Sequence, residues 1–362
     1  MEEILLSRLN TLRTRMDEAG LQGMVILNEA NRRYLSGFTG STGWLVITPD
    51  RALLVTDGRY WERAQREAPH FELVPVRTRY DVTLRMVFAD LHGDVGFEAQ
   101  TITVHQFEQF LRPVVGVSWK AADELPAQLR EVKDAQEMEH IRRAAAITDA
   151  AVAQLSHILR PGITERETAW ELEKFMREQG AEGLAFPIIV AFGENSALPH
   201  AEPEDRALQE NMAVCVDLGA RVSGYCADLT RSFWYGPDPE PDYVRAWTFV
   251  RRALVAALMG LQPGNPARLV DALARDMLKV GGYGDDAFRH SVGHGVGLDI
   301  HERPALSRFS DHVLRAGMVV TVEPGVYLAH RWGIRLEELA VLWDNGPEII
   351  SRAPMSLIFP AP

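Results

Sequence analysis

A carboxylate inside an apolar strand is the feature of this 362-residue sequence that most restricts its fold. A buried charge is tolerated only where a cation or strong donors satisfy it. Ala213-Val214-Cys215-Val216-Asp217-Leu218-Gly219 is such a segment. After the turn-forming Arg221-Val222-Ser223-Gly224, a second runs from Tyr225 to Trp234 and carries Asp228, eleven positions beyond Asp217. The two read as arms of one hairpin with an Asp on each. Alone, either Asp is also accounted for by a stabilised turn or by an ion pair with Arg221 or Arg231. The placement recurs, however. The β-branched run from Gly317 to Val322 ends in Glu323 before a Pro324-Gly325 turn, and Glu337 sits in Gly333-Ile334-Arg335-Leu336-Glu337-Glu338-Leu339, fourteen residues later. Alternation puts Arg335 and Glu337 on one face and Glu338 on the other. Four carboxylates in strand cores exceed what structural ion pairs require, and bound metal cations account for them.

The segment from His290 to Glu302 supplies a fifth element. Glycines stand on both sides of His294, which reads as backbone able to approach a ligand or metal closely. His290 and His294 are four apart, yet Gly293, Gly295 and Gly297 speak against a zinc-binding helix, and no H-E-x-x-H occurs. The glycine run precedes β-like sequence rather than a helix, which argues against dinucleotide binding. Neither a phosphate-binding P-loop nor a G-x-S-x-G elbow is present.

Hydrophobic periodicity divides the chain in two. Over residues 1–125, a helix at 3–19 precedes short β runs at 23–27, 44–48 and 52–56. A helix after Tyr60, a strand at Val95-Gly96-Phe97 and a helix from Val104 complete a small α/β domain. Residues 126–136, charged and beginning with Pro126, read as a linker. From 137 to 362 the pattern is α+β. A long helix carries Met138, Ile141, Ala145, Val152 and Ile158 and closes at Pro161-Gly162. A second helix starts at a Thr164/Glu167 capping box and ends near Gly180. β signals then run from 184 to 235, helices cover about 241–260 and 266–280, and β-rich segments follow to the end.

This catalytic-looking half, residues 135–362, resembles the pita-bread metallopeptidases: methionine aminopeptidase, aminopeptidase P, prolidase and the metal-free creatinase. Asp217, Asp228, His294, Glu323 and Glu337 match the family's metal ligands in order, motif and spacing. The first domain resembles the creatinase/prolidase amino-terminal domain through Tyr34-Leu35-Ser36-Gly37-Phe38-Thr39-Gly40-Ser41 and Thr56-Asp57-Gly58-Arg59-Tyr60. The resemblance implies a pita-bread fold behind a smaller α/β domain, two divalent metal ions and hydrolysis of an N-terminal Xaa-Pro bond. Asp228 and Glu337 would bridge the metals, with Asp217 on one and His294 and Glu323 on the other. Manganese or cobalt suits such a shell, with zinc or iron as alternatives. Glu323 would shuttle a proton; His200, His301 and His290 would contact substrate, the first two also aiding catalysis at the carbonyl oxygen. Arg335 would orient Glu337.

Within the family the motifs point to an aminopeptidase P-like enzyme, with prolidase as the alternative. Many prolidases carry an Arg four residues beyond their counterpart of His301, where this chain has Ala305; Arg303, Arg59 or a partner subunit's loop are possible substitutes. Methionine aminopeptidase is disfavoured by the large first domain, and a non-catalytic binding protein by the retention of all five ligands. The formal net charge of -12 argues against nucleic-acid or anionic-membrane partners. A start without a signal-like stretch and a cysteine count of 2 lead to the expectation of a cytoplasmic protein, with Cys215 and Cys226 as small apolar side chains. Relatives of this type are often dimers, so a homodimer acting on a peptide with proline at its second position is expected.

Overall fold

The computed structural model describes residues 2–359, and the chain divides into two compact units, Met1–Arg130 and Glu131–Pro362. The first unit is built on six strands: β1 (Gly23–Ile26), β2 (Trp44–Ile47), β3 (Ala52–Asp57), β4 (Glu72–Val76), β5 (Gly93–Phe97) and β6 (Val117–Ala121). Their order is β4-β3-β2-β1-β5-β6. The three central strands pair antiparallel, and β4, β5 and β6 add in parallel. Val25, Val46, Val55 and Val95 pack with Leu84 and Phe88 of the Tyr80–Phe88 helix. That helix, β4 and β6 were not legible from periodicity.

Helix Glu29–Ser36 was not foreseen either. Asn28 caps it by accepting from the Asn31 N–H, and Gly37 ends it in the left-handed region at φ 78°. The Tyr34–Ser41 motif is therefore a helix end and the loop after it. The segment read as a linker is partly helical, over Glu124–Arg130. Pro126 is its third residue, within the first turn, where a missing N–H costs no intrahelical bond.

In the second unit, helix Ala135–Ile158 starts at Asp134 and helix Glu165–Glu178 at Thr164, each with a capping box worth about 1 kcal/mol. These two helices contribute to one core with Val190, Phe192, Val214, Val216 and Phe233. Helices Pro241–Gly260 and Ala267–Val280 contribute to another, with Val320, Val322, Ile334 and Leu342. Strands Ile358–Phe359, Leu229–Tyr235, Met212–Leu218 and Ile189–Phe192 form a four-stranded sheet in that order. A five-stranded sheet runs Glu302–Leu306, Gly293–Gly295, Val319–Val322, Glu338–Trp343, Gly346–Ile349. A short hairpin, Gly325–Leu328 with Trp332–Arg335, brings in Arg335 at its end.

The hairpin expected to carry the two Asp residues forms, with Asp217 opposite Thr230 and Leu218 opposite Leu229. Between its arms, Ala220–Val222 pairs with Tyr225–Cys226 around Ser223 and Gly224. Both turn residues have positive φ, 48° and 78°, the backbone of a two-residue turn matched to strand twist.

Candidate metal centre

Strand geometry brings three of the carboxylates together. One ligand oxygen from each of Asp217, Asp228 and Glu337 lies within 4.8 Å of the other two. His294 Nε2 is 3.5 Å from Asp228 Oδ2 and 3.3 Å from Glu323 Oε1. All five residues read from the sequence as ligands thus converge on one place, although they come from the two larger sheets and the segments that flank them.

Such crowding has an electrostatic cost. Burial, and then the charges of Glu337, Asp217 and Glu323, push the Asp228 carboxyl well above the usual range. Burial, followed by Glu323 and Asp217, does the same to Glu337. Burial would raise Glu323 as well, but the His294 hydrogen bond and the imidazoles of His290 and His294 outweigh it and hold this carboxyl below its usual value. Burial would lower His294, and the bond and charge of Glu323 reverse that. The protein's own cation in the cluster is Arg335, which donates from Nη2 to Asp217 Oδ2 at 2.6 Å. Even so, Asp217 Oδ1 and Glu337 Oε1 are buried without a hydrogen-bond partner.

Arg335 does not touch Glu337 directly, which amends the role expected for it. Its Nε donates to Thr230 Oγ1 at 3.0 Å, and that hydroxyl donates to Glu337 Oε2 at 2.7 Å. Arg231 pairs with neither Asp. Its Nη2 is 3.2 Å from Glu338 Oε1, and its Nη1 donates to the Glu337 carbonyl oxygen at 2.5 Å. Glu338 therefore faces away from the centre, as alternation required.

The glycines around His294 serve neighbouring backbone rather than a ligand. A Cβ at Gly293 would stand 2.0 Å from the Thr321 carbonyl oxygen, and one at Gly295 2.2 Å from that of Arg303. Strand Gly293–Gly295 bulges between His294 and Gly295 and is squeezed between two neighbours. His294 Nδ1 then donates to the Gly295 carbonyl oxygen at 3.1 Å, leaving Nε2 toward the carboxylates.

His290 lines the same cleft, but both its ring nitrogens are engaged inside the protein. Arg335 Nη1 donates to the Tyr327 hydroxyl at 2.8 Å, so that hydroxyl spends its proton on His290 Nε2 at 2.8 Å. Nδ1–H donates to the Ser291 carbonyl oxygen at 2.8 Å. Burial lowers the His290 pKa and favours this neutral form. The hydrogen bond to substrate expected of His290 is therefore not available in this arrangement.

His200 and His301 both reach the cleft, which has a volume of about 570 Å³ and apolar walls at Phe186, Ile189, Ala201 and Ile300. The His301 ring meets that of His294 edge-on, with centroids 4.3 Å apart. Ala305 also lines the cleft. Arg303 is held by Glu131 at 2.6 Å and Arg59 by Asp57 at 2.9 Å, so each substitute cation named from the sequence has a carboxylate partner. Cys215 packs against Ile189, Ala191 and Ala201, and both thiols are buried.

Residues 139–343 match the profile of metallopeptidase family M24, and residues 8–132 that of the creatinase/prolidase N-terminal domain. The chain belongs to metallopeptidase family M24. A Xaa-Pro dipeptidase from Pyrococcus furiosus is 32% identical, over 97% of this chain and 99% of that one. The solved Xaa-Pro dipeptidase from Bacillus anthracis is 36% identical with a TM-score of 0.92, covering 98% of this chain and 99% of its own. The X-Pro aminopeptidase from Thermotoga maritima is 35% identical with a TM-score of 0.86, covering 95% and 99%.

The second unit of this M24 metallopeptidase is thus a pita-bread domain, preceded by a creatinase-type N-terminal domain. Sequence reasoning missed two contributors to its centre, Thr230 and Tyr327. Alternation held a signal for Thr230, two residues beyond Asp228; Tyr327 had none, since a buried strand Tyr is ordinary core. Among the described residues no helix is long and apolar enough to cross a membrane.

Proposed function

We propose that the protein hydrolyses the peptide bond before a proline at the second position of a peptide, using two divalent cations held by Asp217, Asp228, His294, Glu323 and Glu337. The observation that carries this reading is the carboxylate cluster with two buried, unpartnered oxygens, Asp217 Oδ1 and Glu337 Oε1. Four carboxylates balance two divalent charges, and a shell of oxygens with one imidazole suits manganese or cobalt, with zinc or iron as alternatives. Bound there, the cations would supply a nucleophilic water near neutral pH and polarise the substrate carbonyl.

The residues divide the remaining work. Glu323 has Oε1 held by the Thr321 hydroxyl at 3.3 Å, and its carboxylate takes the proton of the attacking water. His301 is held below its usual pKa by burial and then by His294, so it is neutral near pH 7. One ring N–H then donates to the carbonyl oxygen as charge develops there, and His200 assists from the cleft mouth. Arg335 and Thr230 fix Asp217 and Glu337, so that neither carboxylate has to be ordered during turnover. The apolar walls suit a proline ring and keep bulk water away.

Peptides longer than two residues are the proposed substrates. A dipeptidase needs a cation for the carboxylate of the departing proline. Ala305, lining the cleft, supplies none, and Arg335 is occupied by Asp217 and Tyr327. The dipeptidase reading is favoured instead by the Pyrococcus furiosus and Bacillus anthracis relatives, both Xaa-Pro dipeptidases. Comparing kcat/KM for Ala-Pro with that for Ala-Pro-Ala on manganese-loaded protein decides. A tripeptide advantage supports the aminopeptidase reading, a dipeptide advantage the prolidase one, and hydrolysis of neither refutes both. A cysteine count of 2, too few for a disulfide framework, supports a reducing compartment, the cytoplasm. The homodimer implied by the family likeness belongs to the same proposal and is tested by light scattering.

A further inference from the structure

His200 sits on a loop that leaves strand Ile189–Phe192, makes the short 3-10 turn Gly193–Ala197 and runs on through Glu204. One side chain outside the cleft holds both stems of this loop. Glu165, the first residue of helix Glu165–Glu178, is 0% exposed. Its Oε1 accepts from the Phe192 N–H at 2.7 Å and from Asn195 Nδ2 at 3.1 Å. Its Oε2 accepts from Asn195 Nδ2 at 3.1 Å and from the Glu204 N–H at 2.8 Å. Asn195 Nδ2 reaches on to Glu204 Oε2 at 3.2 Å.

Every one of these partners of Glu165 is a donor. Only a carboxylate with two accepting oxygens satisfies both stems, and an amide in its place would turn an NH2 group against one of them. The middle of the loop is tied separately, by Gly333 N–H to Ser196 Oγ at 2.9 Å and by Arg335 Nη1 to the Pro199 carbonyl oxygen at 3.1 Å. His200 follows directly and is exposed at the cleft. An exposed side chain is fixed in space only through its backbone, and here the backbone is pinned at both ends by one buried charge.

We propose that Glu165 is a positioning residue for His200, clamping the Phe192 and Glu204 stems so that the imidazole meets the substrate in one place. This rests on the Xaa-Pro reading above. Glu165 does not line the cleft, so its effect on turnover passes through the loop it holds, where Pro199, His200, Ala201 and Glu202 line the cleft and His200 is the side chain assigned a hydrogen bond to substrate.

The test compares E165Q, T164A, H200A and E165Q/H200A by kcat/KM on Ala-Pro-Ala and by amide hydrogen exchange over 192–204. T164A removes the cap of the same helix and leaves both loop stems bonded. The expected result for E165Q is a fall in kcat/KM of about tenfold or more, since small misplacements of a substrate group are costly. Exchange over 192–204 rises, while that over 212–218 is unchanged. T164A stays within about twofold of wild type, and E165Q adds less than about twofold in the H200A background. Equal activities of E165Q and T164A, unchanged exchange over 192–204, or losses that multiply in the double variant would each overturn the proposal. Should E165Q fail to fold, E165D, which keeps the charge but shortens the reach to the Phe192 and Glu204 N–H groups, takes its place under the same criteria. Absence of Xaa-Pro hydrolysis by wild type would refute the functional reading, and the exchange comparison alone would still decide whether Glu165 clamps the loop.

Discussion

Replacing Thr230 by Val probes how the centre holds its carboxylates when the perturbing side chain is not itself a ligand. Thr230 is 0% exposed, and Val reproduces its shape without the hydroxyl. Two bonds disappear, the 2.7 Å donation to Glu337 Oε2 and the 3.0 Å acceptance from the charged Arg335 at Nε. A hydrogen bond between neutral groups contributes about 0.5–1.5 kcal/mol and one to a charged group about 1.5–3 kcal/mol. Arg335 keeps Asp217, Tyr327 and Pro199 as partners, so the loss falls mainly on Glu337. With relaxation, the expected cost is roughly 2–4 kcal/mol in the metal-free protein. A Glu337 free to rotate is a poorer ligand, and metal affinity falls by about 10–100-fold. Titration of the stripped protein with manganese, read by calorimetry, and urea unfolding measure the two effects. T230S, which keeps the hydroxyl, recovers most of the affinity. Should T230V bind manganese as wild type does and unfold at the same urea concentration, the relay from Arg335 through Thr230 to Glu337 has no energetic weight.

Three other outcomes follow from the same geometry. In protein stripped of metal, Asp228, Glu337 and His294 bind protons more tightly folded than unfolded. Their stabilising contribution is present at low pH and is lost as pH rises through the raised values. The opposing contribution of Glu323, held low, is complete above about pH 5. Stripped protein therefore melts lower at pH 8 than at pH 6, manganese removes the difference, and a midpoint that rises over this interval contradicts the account. H290A and Y327F break one shared bond, so their effects on kcat/KM are not additive and show a coupling of about 1 kcal/mol or more; additive losses would separate the two side chains. A305R places a cation in the cleft wall and raises kcat/KM for Ala-Pro relative to Ala-Pro-Ala by about tenfold; an unchanged ratio would remove residue 305 from the discussion of peptide length.

What could be read from the sequence was whatever left a physical anomaly in it. A carboxylate in a β-branched run is such an anomaly, and it marked Asp217, Asp228, Glu323 and Glu337 before any neighbour was known. The glycines around His294 were equally visible, but their cause was not. Sequence shows that a Cβ is missing, and only the fold shows that the Thr321 and Arg303 carbonyl oxygens fill its place. The segment around Pro126 looked like a linker because it is charged. Yet Arg130, Glu131 and Lys133 are buried, Arg130 on Asn31 at 2.8 Å and Lys133 on Glu302 at 2.7 Å. Composition cannot distinguish a solvated charge from one whose partner lies far along the chain. His290 illustrates the same gap, since its tautomer depends on Tyr327, 37 residues away. Helix Glu29–Ser36, of 8 residues, is too short for periodicity to stand out.

The account stands on cations occupying the space between five side chains, and anomalous diffraction from crystals soaked in manganese addresses that directly. Two anomalous peaks, bounded by Asp217, Asp228, His294, Glu323 and Glu337, are the predicted result. A map without a peak there, from crystals in which the manganese is seen elsewhere, would contradict it.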